Sequence, residues 1–170
     1  MKMKKILILF AALLCALPLS AQKMSKEEKA AAAKQAYETA VKAIEEKAWV
    51  IVPSSYYTLD GDIETNDDNS VFLSYERANA FAQGRFLCGN ANTNIAEVTE
   101  YTVKTDKKGN IKIKMVVNGR QWRGTYQISV RANSNDATIN FTPPTGNSRK
   151  FDGPLVPLAG ANYYKRSNPI

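Results

Sequence analysis

The stretch that decides the fold is Thr99 to Thr142, TEYTVKTDKKGNIKIKMVVNGRQWRGTYQISVRANSNDATINFT. Apolar and polar side chains alternate through it with period two, and three turn signals, DKKGN at 106–110, Asn118-Gly119 and NSN at 133–135, divide it into four strands. Turn chemistry sets trial registers. Pairing Val103 with Ile113 puts Tyr101 opposite Met115, and pairing Val117 with Arg120 around Asn118-Gly119 puts Met115 opposite Trp122 and Ile111 opposite Tyr126. Pairing Val130 with Ala137 puts Ile128 opposite Ile139 and Tyr126 opposite Phe141. Apolar meets apolar each time, so the segment predicts an antiparallel meander with one dry face, on which Trp122 and Tyr126 are core.

Working outward, apolar or aromatic stretches at 49–52, 56–59, 71–75 and 81–87 and a last strand at Phe151 to Val156 bring the count to about seven or eight strands. That number suffices to curl into a barrel. Upstream, Ser25 and Glu28 form a capping box, and Ala30, Ala33, Tyr37, Val41, Ile44 and Ala48 make an apolar stripe at helical spacing. The Ala- and Lys-rich first half of this helix reads as a solvated spacer, and the half from Tyr37 to Ile44 as the part that docks. The fold class expected is α+β, mainly antiparallel β: an N-terminal helix followed by a curled, barrel-like meander. The organisation is a signal peptide at 1–21, a helix within 22–48 and a β domain at 49–170, the last two forming one globular unit.

The signal peptide is read from Lys2, Lys4 and Lys5 ahead of the apolar run Ile6 to Leu14, with Pro18, Ser20 and Ala21 after it. The run falls short of the roughly 20 apolar residues that a membrane span needs. Cleavage is expected after Ala21, which implies export to the periplasm or outer surface. Cys15 does not make a lipidation site, because bulky Leu14 precedes it. Cleavage removes three Lys and no acid from 23 basic and 16 acidic residues, leaving 20 against 16, or +4. Only Cys88 then remains, so the core must hold without an internal disulfide, and Cys88, after Phe86 and Leu87, is expected to be buried.

The chain has no His. Ser-His-Asp and Cys-His nucleophilic pairs and His-ligated zinc are thereby excluded. Strict alternation puts Glu97 and Glu100 on opposite faces of one strand, where they cannot flank a glycosidic bond. In LDGDIETNDDN, Asp60, Asp62 and Glu64 imitate the first half of a calcium loop, but Thr65 and Val71 stand where its bend Gly and bidentate Glu belong, so they make a weak metal candidate in a solvated connection. The registers above place Lys104 opposite Lys112 and Lys114 opposite Arg123 on the face away from Ile113. These four are the candidate ligand-binding strip for an anionic envelope polymer or an acidic protein, and Lys107, Lys108 and Arg120 lie near its ends. Export makes nucleic acid an unsuitable partner. Of the aromatics, Tyr163 and Tyr164 are the pair expected at the surface.

YTVKTDKKGNIKIKMVVNG at 101–119, FDGPLVPL at 151–158, LSAQ at 19–22 and a helix running into WVIVPSS at 49–55 together resemble a small exported family of unknown function from gut-dwelling Gram-negative bacteria. The likeness spans roughly residues 36–160 and departs from the family's Gly-richer pattern in SYERANAFAQGRF at 74–86. It implies export and a single β domain, and carries no catalytic residues or cofactor. The reading is a non-enzymatic exported binding or structural domain with no catalytic residue and no cofactor; the alternative is a carboxylate- or metal-dependent hydrolase of the cell envelope. Intact mass of the mature protein is expected to correspond to a chain beginning at Gln22 without lipid. An acylated Cys15 would contradict this.

Overall fold

The computed structural model describes residues 24–170, so the signal segment, its cleavage site and Cys15 lie outside the described residues. Helix α1 (Lys26–Glu45) opens with the expected capping box, in which Ser25 Oγ accepts from the Glu28 amide and the Glu28 carboxylate accepts from the Ser25 amide. Ten strands follow: β1 (Ala48–Ile51), β2 (Ser55–Tyr57), β3 (Ile63–Thr65), β4 (Phe72–Glu76), β5 (Asn79–Gln83), β6 (Thr93–Thr105), β7 (Ile111–Asn118), β8 (Arg123–Val130), β9 (Asp136–Thr142) and β10 (Arg149–Pro157). A one-turn helix, α2 (Arg85–Cys88), sits between β5 and β6. The apolar stretch expected as a strand over 81–87 is therefore half strand and half helix, broken at Gly84 with φ of 113°.

Eight strands close into an antiparallel barrel in the order β1-β4-β5-β6-β7-β8-β9-β10, because β10 pairs back onto β1 through Val50–Val156 and its neighbours. The other half of the same β10 edge takes β2, and β2 and β3 form a hairpin flap outside the ring. The interior is filled. Trp49, Met115, Tyr126, Ile128, Ile139, Phe141 and Phe151 are all 2% exposed or less, and the space between strands holds side chains rather than a ligand chamber.

Each end of the barrel is covered by a helix. In α1 the buried face is Ala40, Ala43 and Ile44 beside β1 and β10. Of the expected stripe only Ile44 is fully buried; Ala30 is exposed, Ala33, Tyr37 and Val41 are half-buried and Ala48 opens β1. Tyr37 reaches across the mouth to donate its hydroxyl to Gly109 O at 2.6 Å in the β6–β7 turn. Residues 26–32 are exposed, as a solvated spacer requires. At the opposite mouth α2 brings Leu87 and Cys88 inward, while Phe86 stacks on Tyr56 and lies edge-on to Phe151. The C-terminal segment then straps the outside of β4 and β5. Tyr163 packs on Phe72, Lys165 bonds both Glu76 oxygens, and the Gln83 amide donates to Ser70 O and Tyr164 O and accepts from the Arg166 amide and Thr93 hydroxyl. Of the two tyrosines expected at the surface, only Tyr164, at 58%, is exposed.

Two of the three meander registers are as expected: Val103 faces Ile113, and Val130 faces Ala137. The middle one is not. Val117 faces Gly124, four residues beyond Arg120, so Met115 meets Tyr126 and Ile111 meets Val130. Neither Asn118 nor Gly119 has the positive φ that a two-residue Asn-Gly turn needs. Gly119 serves instead for close approach, since a Cβ there would lie 2.5 Å from Ile95 O, and the chain turns over Arg120-Gln121 with the Gly119 amide bonded to Trp122 O. An even shift keeps every inward residue inward. Trp122 stays buried at 3%, donating its indole N–H to the Tyr126 hydroxyl at 3.1 Å.

Truncating the docked end of α1 is expected to matter and altering its spacer is not. Ile44→Ala should cost about 2–5 kcal/mol in urea unfolding, and Lys29→Ala should stay within about 0.5 kcal/mol. Equal effects would contradict the docking.

Candidate functional site

With the interior filled, polar side chains of the meander point outward, and the registers arrange them in rows across β6 to β10. One row runs Lys104, Lys112, Ser129, Thr138, Asp152, and the next Thr102, Lys114, Gln127, Asn140, Lys150, Tyr57. Lys104 and Lys112 stand directly opposite each other, as expected; both are exposed and neither forms an ion pair among the described residues.

The rest of the four-residue strip is dispersed. Lys114 faces Gln127 rather than Arg123, because of the four-residue shift, and both Glu100 oxygens accept from its Nζ at 2.9 and 2.8 Å. Arg123 faces Asn118 near the other end of the barrel and borders a groove beside Pro143 and Pro144. Glu100 reaches Lys114 through a β-bulge. The register slips between Val98 and Glu100, so Glu97 opposite Asn118 and Glu100 opposite Val116 share the outer face. Strict alternation across Thr99 puts them on opposite faces, and the bulge overturns that reading.

An open groove of about 610 Å³ runs over the first row, between Lys112 and Arg131 on one side and Tyr57 and Asp152 on the other. Asp152 is fixed by the Tyr57 hydroxyl at 2.9 Å and the Thr138 hydroxyl at 2.6 Å. Lys150 Nζ lies over the Tyr57 ring, 4.0 Å from its centroid. Asp136 lies 3.8 Å from Arg131, and Asp106 closes one end of the groove. Hydrogen bonds from the Asn110 side chain and amide hold the Asp106 carboxyl below its usual range. Sequence reading missed this groove, because Asp152, Tyr57 and Lys112 come from three separate strands and only the closure of β10 onto both β9 and β2 brings them together.

The acidic stretch is not gathered into one site. Asp60 is in a turn, the Asp62 amide donates to the Thr58 hydroxyl, Glu64 accepts from the Tyr56 hydroxyl at 2.7 Å, and Asp68 accepts from the Ser70 amide. Among the described residues no group of three or more Cys, Asp or Glu is placed to hold one metal ion, and no helix is long and apolar enough to cross a membrane.

A closed antiparallel barrel covered by a helix at each mouth, with its concave surfaces outside, is the class of protein that this geometry defines. The chain belongs to the family described as Domain of unknown function (DUF4251), whose pattern matches residues 31–155. Its fold is similar to the crystal structure of a DUF4251 family protein from Bacteroides eggerthii, with a TM-score of 0.69 and 22% identity, covering 78% of this chain and 95% of that one. The resemblance to a family of unknown function from gut bacteria and the barrel-like α+β fold therefore both hold. No curated protein matches the chain.

Burial pushes the Cys88 thiol up to about 11, and the Tyr101 phenol, buried beside Trp49, up to about 12. Both groups are neutral when protonated, and the unfolded chain loses these protons at the lower ordinary values. Stability should therefore be full below about pH 8.5 and fall as pH rises towards 11. Cys88→Ala should flatten this alkaline limb in urea titrations by an amount of the order of 2 kcal/mol at pH 11. A limb unchanged by the substitution would contradict burial of the thiol.

Proposed function

We propose that the protein is exported, with its signal peptide removed after Ala21, and acts by binding an anionic polymer on the outer face of the barrel rather than by catalysis. The observation that carries this reading is the Lys104–Lys112 pair at the groove's edge. Like charges directly opposite destabilise a strand pair by a few tenths to about 1 kcal/mol, and among the described residues no carboxylate pairs with either lysine, whereas Glu100 compensates Lys114 in the next row. Within the groove Lys112 and Arg131 face three carboxylates, Asp106, Asp136 and Asp152, so the attraction for a polyanion comes from the exposed Lys104–Lys112 pair beside it, while Ser129, Thr138 and the fixed Asp152 supply hydrogen-bonding groups for hydroxyls. The exposed lysines attract a polyanion, and the neighbouring hydroxyl-binding groups favour a polysaccharide among polyanions.

The hydrolase alternative would draw on Asp106, Asp136 and Asp152 in the same groove. A general acid needs a carboxyl raised towards neutrality, and Asp106 is shifted the other way.

Retention on an acidic polysaccharide matrix separates a site from bulk charge. Lys104→Gln with Lys112→Gln and Lys114→Gln with Arg123→Gln each remove two charges, so equal drops in eluting salt would mean net charge alone and end the proposal. The first pair is expected to elute clearly earlier, and to gain a few tenths to about 1 kcal/mol of stability from relieved repulsion.

A further inference from the structure

A second concavity lies beside the β2–β3 flap, meeting the polar groove at Tyr57. It encloses about 440 Å³, within the size range of small-molecule sites. Its floor is the Tyr56–Phe86 pair, with ring centroids 4.4 Å apart, and Leu59 of the flap hangs over it 77% exposed. A Leu side chain this exposed beside two aromatic rings leaves apolar surface in water that a ligand would cover. At the rim stands Arg85, exposed and without an ion-pair partner among the described residues. The neighbouring Arg149 is occupied, donating to Leu87 O at 2.9 Å and lying over the Phe141 ring. Asn147 and Ser148 add neutral hydrogen-bonding groups to the same rim.

We propose that this cleft binds a small anionic amphiphile, with its apolar body against Tyr56, Phe86 and Leu59 and its acidic head on Arg85. The site shares Tyr57 with the polar groove but is otherwise built from the flap, α2 and the β9–β10 connection, and a ligand there needs none of Lys104, Lys112 or Asp152. The charge and the apolar body make separable demands. An anionic ligand uses both Arg85 and Leu59; a neutral one of the same shape uses Leu59 alone.

Two fluorescent probes read these demands on the mature chain: anionic 1-anilinonaphthalene-8-sulfonate and neutral N-phenyl-1-naphthylamine, with decanoate as competitor. The wild type is expected to bind both saturably at one equivalent, with decanoate displacing the anionic probe. Arg85→Gln should weaken the anionic probe about tenfold and leave the neutral probe within about twofold. Leu59→Asp, at a solvent-exposed position where the melting temperature should not move, should weaken both by about tenfold or more. Absence of saturable binding by the wild type would overturn the site. So would unchanged affinity of both probes in Leu59→Asp, and equal losses of both probes in Arg85→Gln would overturn the role of the charge.

Discussion

Closure of the sheet depends on β10, which serves two partners along one edge. Arg149 to Pro154 pair with β9 on one side, while on the other Lys150 to Asp152 take β2 and Leu155 to Pro157 take β1. The chain therefore runs on along that edge from β1 to β2, with a one-residue register slip between Ile51–Leu155 and Ser55–Asp152, and Gly153 makes room for it. A Cβ at Gly153 would lie 2.6 Å from Val52 O and 3.0 Å from Pro53 Cα. Any larger residue there pushes β1 and β2 away from the strand that both must reach, so the barrel and the flap depend on the same contact.

From that closure the placement of the concave surfaces follows. Eight strands enclose a space that side chains fill, and a helix crosses each mouth, so no ligand reaches the inside. The binding proposed above falls to the outer rows of β7–β10 and to the cleft beside the flap. Closure also explains the acidic stretch. The flap moves the sheet's exposed edge from β10 to β3, a strand of three residues flanked by Asp60, Asp62, Asp67 and Asp68. Shortness and like charge discourage pairing with another chain at such an edge. The flanking carboxylates thus serve to guard this edge.

Side-chain parity made the barrel's inner face legible in the sequence. It is blind, however, to shifts of two or four residues, and the four-residue shift at Asn118-Gly119 leaves all apolar positions inward while moving Arg123 away from Lys114. The inner face was therefore readable and half of the basic strip was not. A single-residue bulge is the opposite case: at Thr99 it reverses parity, and neither Gly nor Pro marks it, so Glu97 and Glu100 were assigned to different faces. Both concave sites join residues far apart in the chain, such as Tyr57 with Asp152 and Phe86 with Tyr56, and local pattern carries no information about such pairs.

Amide hydrogen exchange at the β1–β10 seam tests the closed barrel most directly. In a closed ring the amides of Val50, Val156 and Leu158, the last bonded to Ala48 O at 3.1 Å, exchange only when the whole domain opens. Their protection should then equal that of Met115 and Ile128 at the centre of the meander. If the seam amides instead exchanged orders of magnitude faster than those two, β1 and β10 would be open edges and the barrel would not be sealed.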